Sequence, residues 1–105
     1  MALLKRERQA NRVPRTHGAV VGQIWRGGAR QAQVARLLAA IEVLSVDLEL
    51  GRLAGELLGR ARTRDVVDAA LILLADDGDQ ILTSDPGDLA PLAAAAGLFV
   101  DLVRL

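Results

Sequence analysis

Apolar positions along the chain change spacing several times, and each change marks an element. Val34, Leu37, Leu38 and Ile41 recur at three- and four-residue intervals, which predicts an amphipathic helix over 29–41. The short β-branched run Glu42–Val46 predicts a strand. Asp47 then stands where a helix through Leu50, Leu53, Ala54, Leu57 and Leu58 needs an N-cap. From Thr63 or Asp65 as cap, the run Val66 to Ala75 is apolar on nearly every side, the signature of a helix buried all round. Gln80–Thr83 predicts a strand ending in the turn signal Ser84-Asp85-Pro86-Gly87. A short helix over 89–96, capped by Asp88 and closed by Gly97, leads to a last strand over 98–105.

The first third is less regular. Residues 2–10 have helical composition with no start signal, Arg12-Val13-Pro14 reads as extended because proline restricts its predecessor, and Thr16 is the expected cap of a helix through Val20, Val21, Ile24 and Trp25 that stops at Gly27-Gly28. Helices alternating with short strands predict an α/β fold around a mostly parallel sheet.

With 105 residues, 51% hydrophobic and 25% charged, the chain has the composition of one folded domain rather than a disordered polymer. No apolar run approaches the roughly 20 residues that span a bilayer, and the charges at 5–8 follow the apolar start in the wrong order for a secretory signal, so the expected setting is cytoplasmic with no membrane partner. The absence of cysteine excludes disulfides and thiolate metal sites. A single histidine, His17, excludes histidine clusters and reads as a surface residue, while Trp25 and Phe99 read as core.

The formal net charge is zero, but its distribution changes the picture. Residues 1–64 hold twelve basic against five acidic side chains, whereas residues 65–105 hold Arg104 against eight aspartates. A phosphate-holding surface beside an acidic cluster has this form, as do two ordinary solvated faces.

Among the aspartates, Asp68 is the hardest to explain as packing, because it interrupts the most apolar helix. Asp65, three residues earlier, shares its face, although helix capping accounts for Asp65 equally well. Asp85 follows the strand Ile81-Leu82-Thr83, at the carboxyl end where open α/β sheets place ligands, and Asp88 is one turn on. Should Asp68 and Asp85 converge, their repulsion calls for a hard cation. An all-oxygen site suits Mg2+ or Mn2+, and hydrolysis of a phosphodiester is the chemistry such an ion supports.

These residues carry a family resemblance. Asp65-Val66-Val67-Asp68-Ala69, with Thr83-Ser84-Asp85-Pro86-Gly87-Asp88-Leu89, resembles the second half of PIN-domain proteins, in particular VapC-type toxins of bacterial toxin–antitoxin pairs; Val20 to Gly28 resembles the second helix of that family. The resemblance implies a three-layer α/β/α sandwich and a metal-dependent endoribonuclease acting on single-stranded RNA, with a cognate antitoxin as protein partner and a possible homodimer. It assigns catalysis and metal binding to Asp68 and Asp85, with Asp65 and Asp88 as weaker ligands, and places Thr83 and Arg26 against substrate. The family's glutamate position falls on Gln23, a neutral oxygen donor. The family's first strand, in the middle of the sheet and ending in a metal-binding aspartate, has no counterpart here. Residues 1–105 are therefore expected to form a single PIN-like domain, N-terminally incomplete, with weak metal binding and low or no nuclease activity. The alternative is a non-catalytic module that binds an antitoxin or a second copy through the helices at 29–41 and 51–58. A helix-turn-helix regulator leaves the apolar helix and the strand at 81–85 without a role.

Overall fold

The computed structural model describes residues 2–5 and 13–105. In chain order the described elements are β1 (Ala2–Lys5), β2 (Arg15–His17), α1 (Gly18–Ile24), α2 (Gln31–Ala39), β3 (Glu42–Leu44), α3 (Leu48–Ala61), α4 (Val66–Leu73), β4 (Gln80–Thr83), α5 (Pro86–Ala95) and β5 (Asp101–Arg104). The strands form one mixed sheet in the order β3-β2-β1-β4-β5. The fold is α/β, as the alternation of periods required, but the pairings divide equally: β2–β3 and β4–β5 are parallel, while β1 runs antiparallel to both of its neighbours.

The strand β1 overturns two expectations. Residues 2–5 are extended rather than helical, the rest of that stretch lying outside the described residues, and the middle of the sheet is filled. Burial decides the matter: Ala2, Leu3 and Leu4 are at most 6% exposed, and a central strand covered on both faces rewards apolar side chains more than local helix propensity does. Direction follows from chain length. Nine residues separate Lys5 from Arg15, fewer than a parallel crossover between adjacent strands requires, so β1 and β2 pair antiparallel. No aspartate comes with this strand, so the middle of the sheet is occupied without contributing a carboxylate.

Side-chain alternation assigns the faces. Ala2 pairs with Thr83 and Leu4 with Ile81, and this face meets Leu57, Leu71, Leu89 and Leu92 in the main core, beneath the mutually packed α3, α4 and α5. Leu3, paired with Leu82, lies on the opposite face.

Local signals were kept in several places. Asp47 caps α3, its Oδ1 accepting from the Leu50 amide at 2.8 Å, and Gly97 closes the region after α5 with φ of +66°. Others were displaced. His17, the last residue of β2, rather than Thr16 caps α1; the Thr16 hydroxyl donates instead to the Ala2 carbonyl at 3.0 Å. Helix α5 begins at Pro86, not Leu89, since proline suits the first helical turn; Asp85 is its N-cap position and Asp88 lies inside. Trp25 and Phe99 are 48% and 81% exposed, so neither is a core residue. Helix α2 forms over its amphipathic stripe but buries none of its residues.

Candidate functional site

A polar cleft of about 130 Å3 opens where β1, α1, α4, β4 and α5 meet, and it is lined by Ala2, Gln23, Asp65, Asp68, Thr83, Ser84, Asp85 and Asp88. Six of these eight are sequence-predicted site residues, brought together from four separate elements and the β4–α5 junction. The convergence has a simple origin. Parallel β4 delivers its carboxyl end to the turn that starts α5, and antiparallel β1 places its first residue, Ala2, directly beside Thr83 at the same end.

Each wall is fixed by local bonds. Asp65 is the N-cap of α4, and its Oδ1 accepts from the Asp68 amide at 3.1 Å, so capping and membership of the cleft coexist in one residue. Asp68 occupies the first turn, half-buried. On the other wall the Thr83 hydroxyl, 4% exposed at the end of β4, accepts from the Asp85 amide at 3.1 Å, which fixes the backbone from which the Asp85 side chain projects. The Asp85 carboxylate makes no capping bond to α5. Gln23 reaches the cleft from the exposed last turn of α1. Arg26, expected against substrate, is exposed and not part of the lining; its Nε donates to the Gln23 carbonyl at 3.2 Å.

The electrostatics show carboxylates crowding one another. Burial, and then the charge of Asp65, push Asp68 from 3.8 to about 6. A hydrogen bond that protonated Asp88 donates to the Asp85 carboxylate, with the charge of Asp85 behind it, raises Asp88. The lining, among the described residues, contains neither lysine nor arginine. Among the described residues, no three acidic or histidine side chains are grouped so as to hold a metal ion together. The four aspartates therefore act as two pairs, Asp65 with Asp68 and Asp85 with Asp88. The lining supplies carboxylates and the neutral oxygens of Gln23 and Thr83, the donor types that Mg2+ takes, commonly only one or two carboxylates with several waters.

A larger opening of about 370 Å3 lies elsewhere, between Leu44, Leu50, Leu53 and Leu74, with Asp47 and Glu49 at its rim. Asp47 is committed to its cap, and four of the seven lining residues are leucines. The sequence-predicted site residues that converge do so in the smaller cleft.

Two features had no signal in the sequence. Ala2 carries no functional group and enters the lining only through its pairing with Thr83. His17 is fully buried, not a surface histidine, with its Nε2 at 2.7 Å from the Val67 carbonyl and its Nδ1 accepting from the Ala19 amide at 3.3 Å. A lone histidine before a glycine gives no hint of that position.

No family model matches the chain, and no curated protein or solved structure matches it significantly. Among the described residues no helix is long and apolar enough to cross a membrane.

Proposed function

We propose that this chain is a metal-dependent endoribonuclease of PIN type, resembling VapC toxins, that hydrolyses RNA phosphodiester bonds at the aspartate cleft. The supporting observation is the convergence of Gln23, Asp65, Asp68, Thr83, Asp85 and Asp88, separated by up to 65 positions in the chain, on a single polar cleft whose lining, among the described residues, holds no lysine or arginine. A three-layer α/β/α arrangement and placement of the first strand in mid-sheet accompany this reading; the position of β1 agrees with it, and its direction does not.

Asp68 and Asp85, one from each pair, would hold Mg2+ or Mn2+, with the Gln23 amide oxygen as a neutral neighbour and Asp65 and Asp88 behind them. Such an ion, when bound, activates water and offsets negative charge on the phosphodiester. Without metal, burial and the charge of Asp65 hold Asp68 up at about 6; a bound cation would favour its ionised form, so metal binding at this site would release a proton near neutral pH. The Thr83 hydroxyl orients the Asp85 backbone. Arg26, exposed beside Gln23, is available to an RNA phosphate, as are other arginines of the basic first half. Two exposed aromatics are too few for base stacking to be the main grip.

With two carboxylates as ligands and a neutral glutamine at the family's glutamate position, metal affinity should be weak and cleavage slow. The test is Mg2+-dependent cleavage of single-stranded RNA by the chain and by an Asp85→Asn variant. Loss of cleavage in the variant is expected; equal cleavage by both would sink the proposed site.

A second reading is a non-catalytic module that binds an antitoxin or another copy. It is favoured by α2, which buries no residue and leaves Leu37 42% exposed, and by Leu53 of α3, 43% exposed. Partner binding without any Mg2+-dependent stabilisation would favour it.

A further inference from the structure

The buried imidazole of His17 is not used by the reading above, yet it links the β2–α1 junction to the first turn of α4. It terminates β2 and caps α1, the helix that carries Gln23. Its Nδ1 accepts from the Ala19 amide, which leaves Nε2 as the protonated nitrogen, and Nε2 donates to the Val67 carbonyl at 2.7 Å. Val67 lies in the first turn of α4, between Asp65 and Asp68. One ring thus bonds the start of the helix bearing Gln23 and the turn bearing both carboxylates. Its neighbours extend the same function. On the same face of β2, Arg15 Nη2 donates to the Leu74 carbonyl at 3.4 Å, so α4 is held at both ends, and Thr16 ties down Ala2 at the edge of the cleft.

We propose that His17 is a positioning residue of the aspartate cleft: as the neutral Nε2–H tautomer it straps the Asp65–Asp68 turn to the β2–α1 junction and sets the gap between Gln23 and Asp68. It touches neither metal nor substrate. Its connection with catalysis rests on the metal-dependent reading of the cleft, whereas the strap itself does not.

The two ring nitrogens can be replaced separately. In His17→Asn the shorter amide can cap α1 but falls short of Val67; in His17→Gln the longer amide nitrogen can reach the Val67 carbonyl. Ring nitrogen shifts measured on the wild-type chain should show the Nε2–H tautomer, a result that does not depend on either variant folding. Amide hydrogen exchange at Asp68 and Ala69 should accelerate about tenfold in His17→Asn, the scale of one buried hydrogen bond, and be largely restored in His17→Gln. Mg2+ titration followed by amide shifts should weaken severalfold in His17→Asn alone. An Nδ1–H tautomer, or equal exchange and Mg2+ response in the two variants, would overturn the proposal. Absence of any Mg2+ response in the wild type, with the exchange difference intact, would overturn the metal reading and leave the strap standing.

Discussion

Asp68→Asn should stabilise the folded protein, and only above a certain pH. Asp68 titrates at about 6 in the folded state against 3.8 ordinarily, because burial and the charge of Asp65 disfavour its ionised form. Between those values the folded protein keeps a proton that the unfolded chain has released. The stability associated with this proton is complete below about pH 4 and is lost as the pH rises through about 6. A two-unit shift corresponds to about 3 kcal/mol if fully expressed. Asp68 is only half-buried, and solvent screening reduces the cost to about 1 kcal/mol. Removing the charge while keeping the shape should therefore raise the melting temperature by roughly 4–8 °C at about pH 8, given the size scaling for a domain near 100 residues. Asp65 still caps the Asp68 amide in the variant, since that bond uses backbone nitrogen. Thermal melts of both proteins at about pH 4 and about pH 8 provide the assay. Superimposed melts at the lower pH and a more stable variant at the higher are expected. A variant no more stable than wild type at the higher pH, or a difference independent of pH, would refute the account of Asp68 as a destabilised charge.

Other perturbations act on separate parts of the account. Gln23→Glu adds a carboxylate to the cleft opposite Asp68, so Mg2+ affinity measured by calorimetry should rise about tenfold while stability without metal falls through added repulsion. Asp47→Ala removes the cap bond to Leu50 at the far end of α3 and should lower stability by about 1 kcal/mol in denaturant titration without changing Mg2+ binding. Leu57→Ala, fully buried in the core between the helices and the sheet, should cost about 2–5 kcal/mol in the same titration.

The parts of this molecule that were legible in the sequence are those determined by a few adjacent residues. Asp47 and Asp65 cap their helices because a carboxylate before a helical run has local amides to bind, and Gln80–Thr83 forms a strand because its neighbours are turn residues. The candidate site was legible for a related reason: carboxylates inside an apolar helix and just after a strand are costly, and costly residues need a purpose. What stayed hidden was set by distant partners. Ala2–Lys5 is extended because the middle of the sheet offers burial on both faces, a reward no local window contains. His17 is buried because the Val67 carbonyl, fifty residues away, receives its proton. Pro86 starts α5 three residues ahead of the predicted boundary and shifts Asp88 from cap to first turn, which aligns it with Asp85.

Asp68 and Asp85, one from each aspartate pair, are the proposed ligands of a single cation in the cleft. The most direct measurement is Mg2+ titration of the isotopically labelled chain, following backbone amide shifts to millimolar metal. Saturable shifts confined to Gln23, the turn from Asp65 to Asp68, and Thr83 to Asp88, absent in Asp85→Asn, are expected. No saturable shift in these segments, or shifts that persist unchanged in Asp85→Asn, would contradict the account.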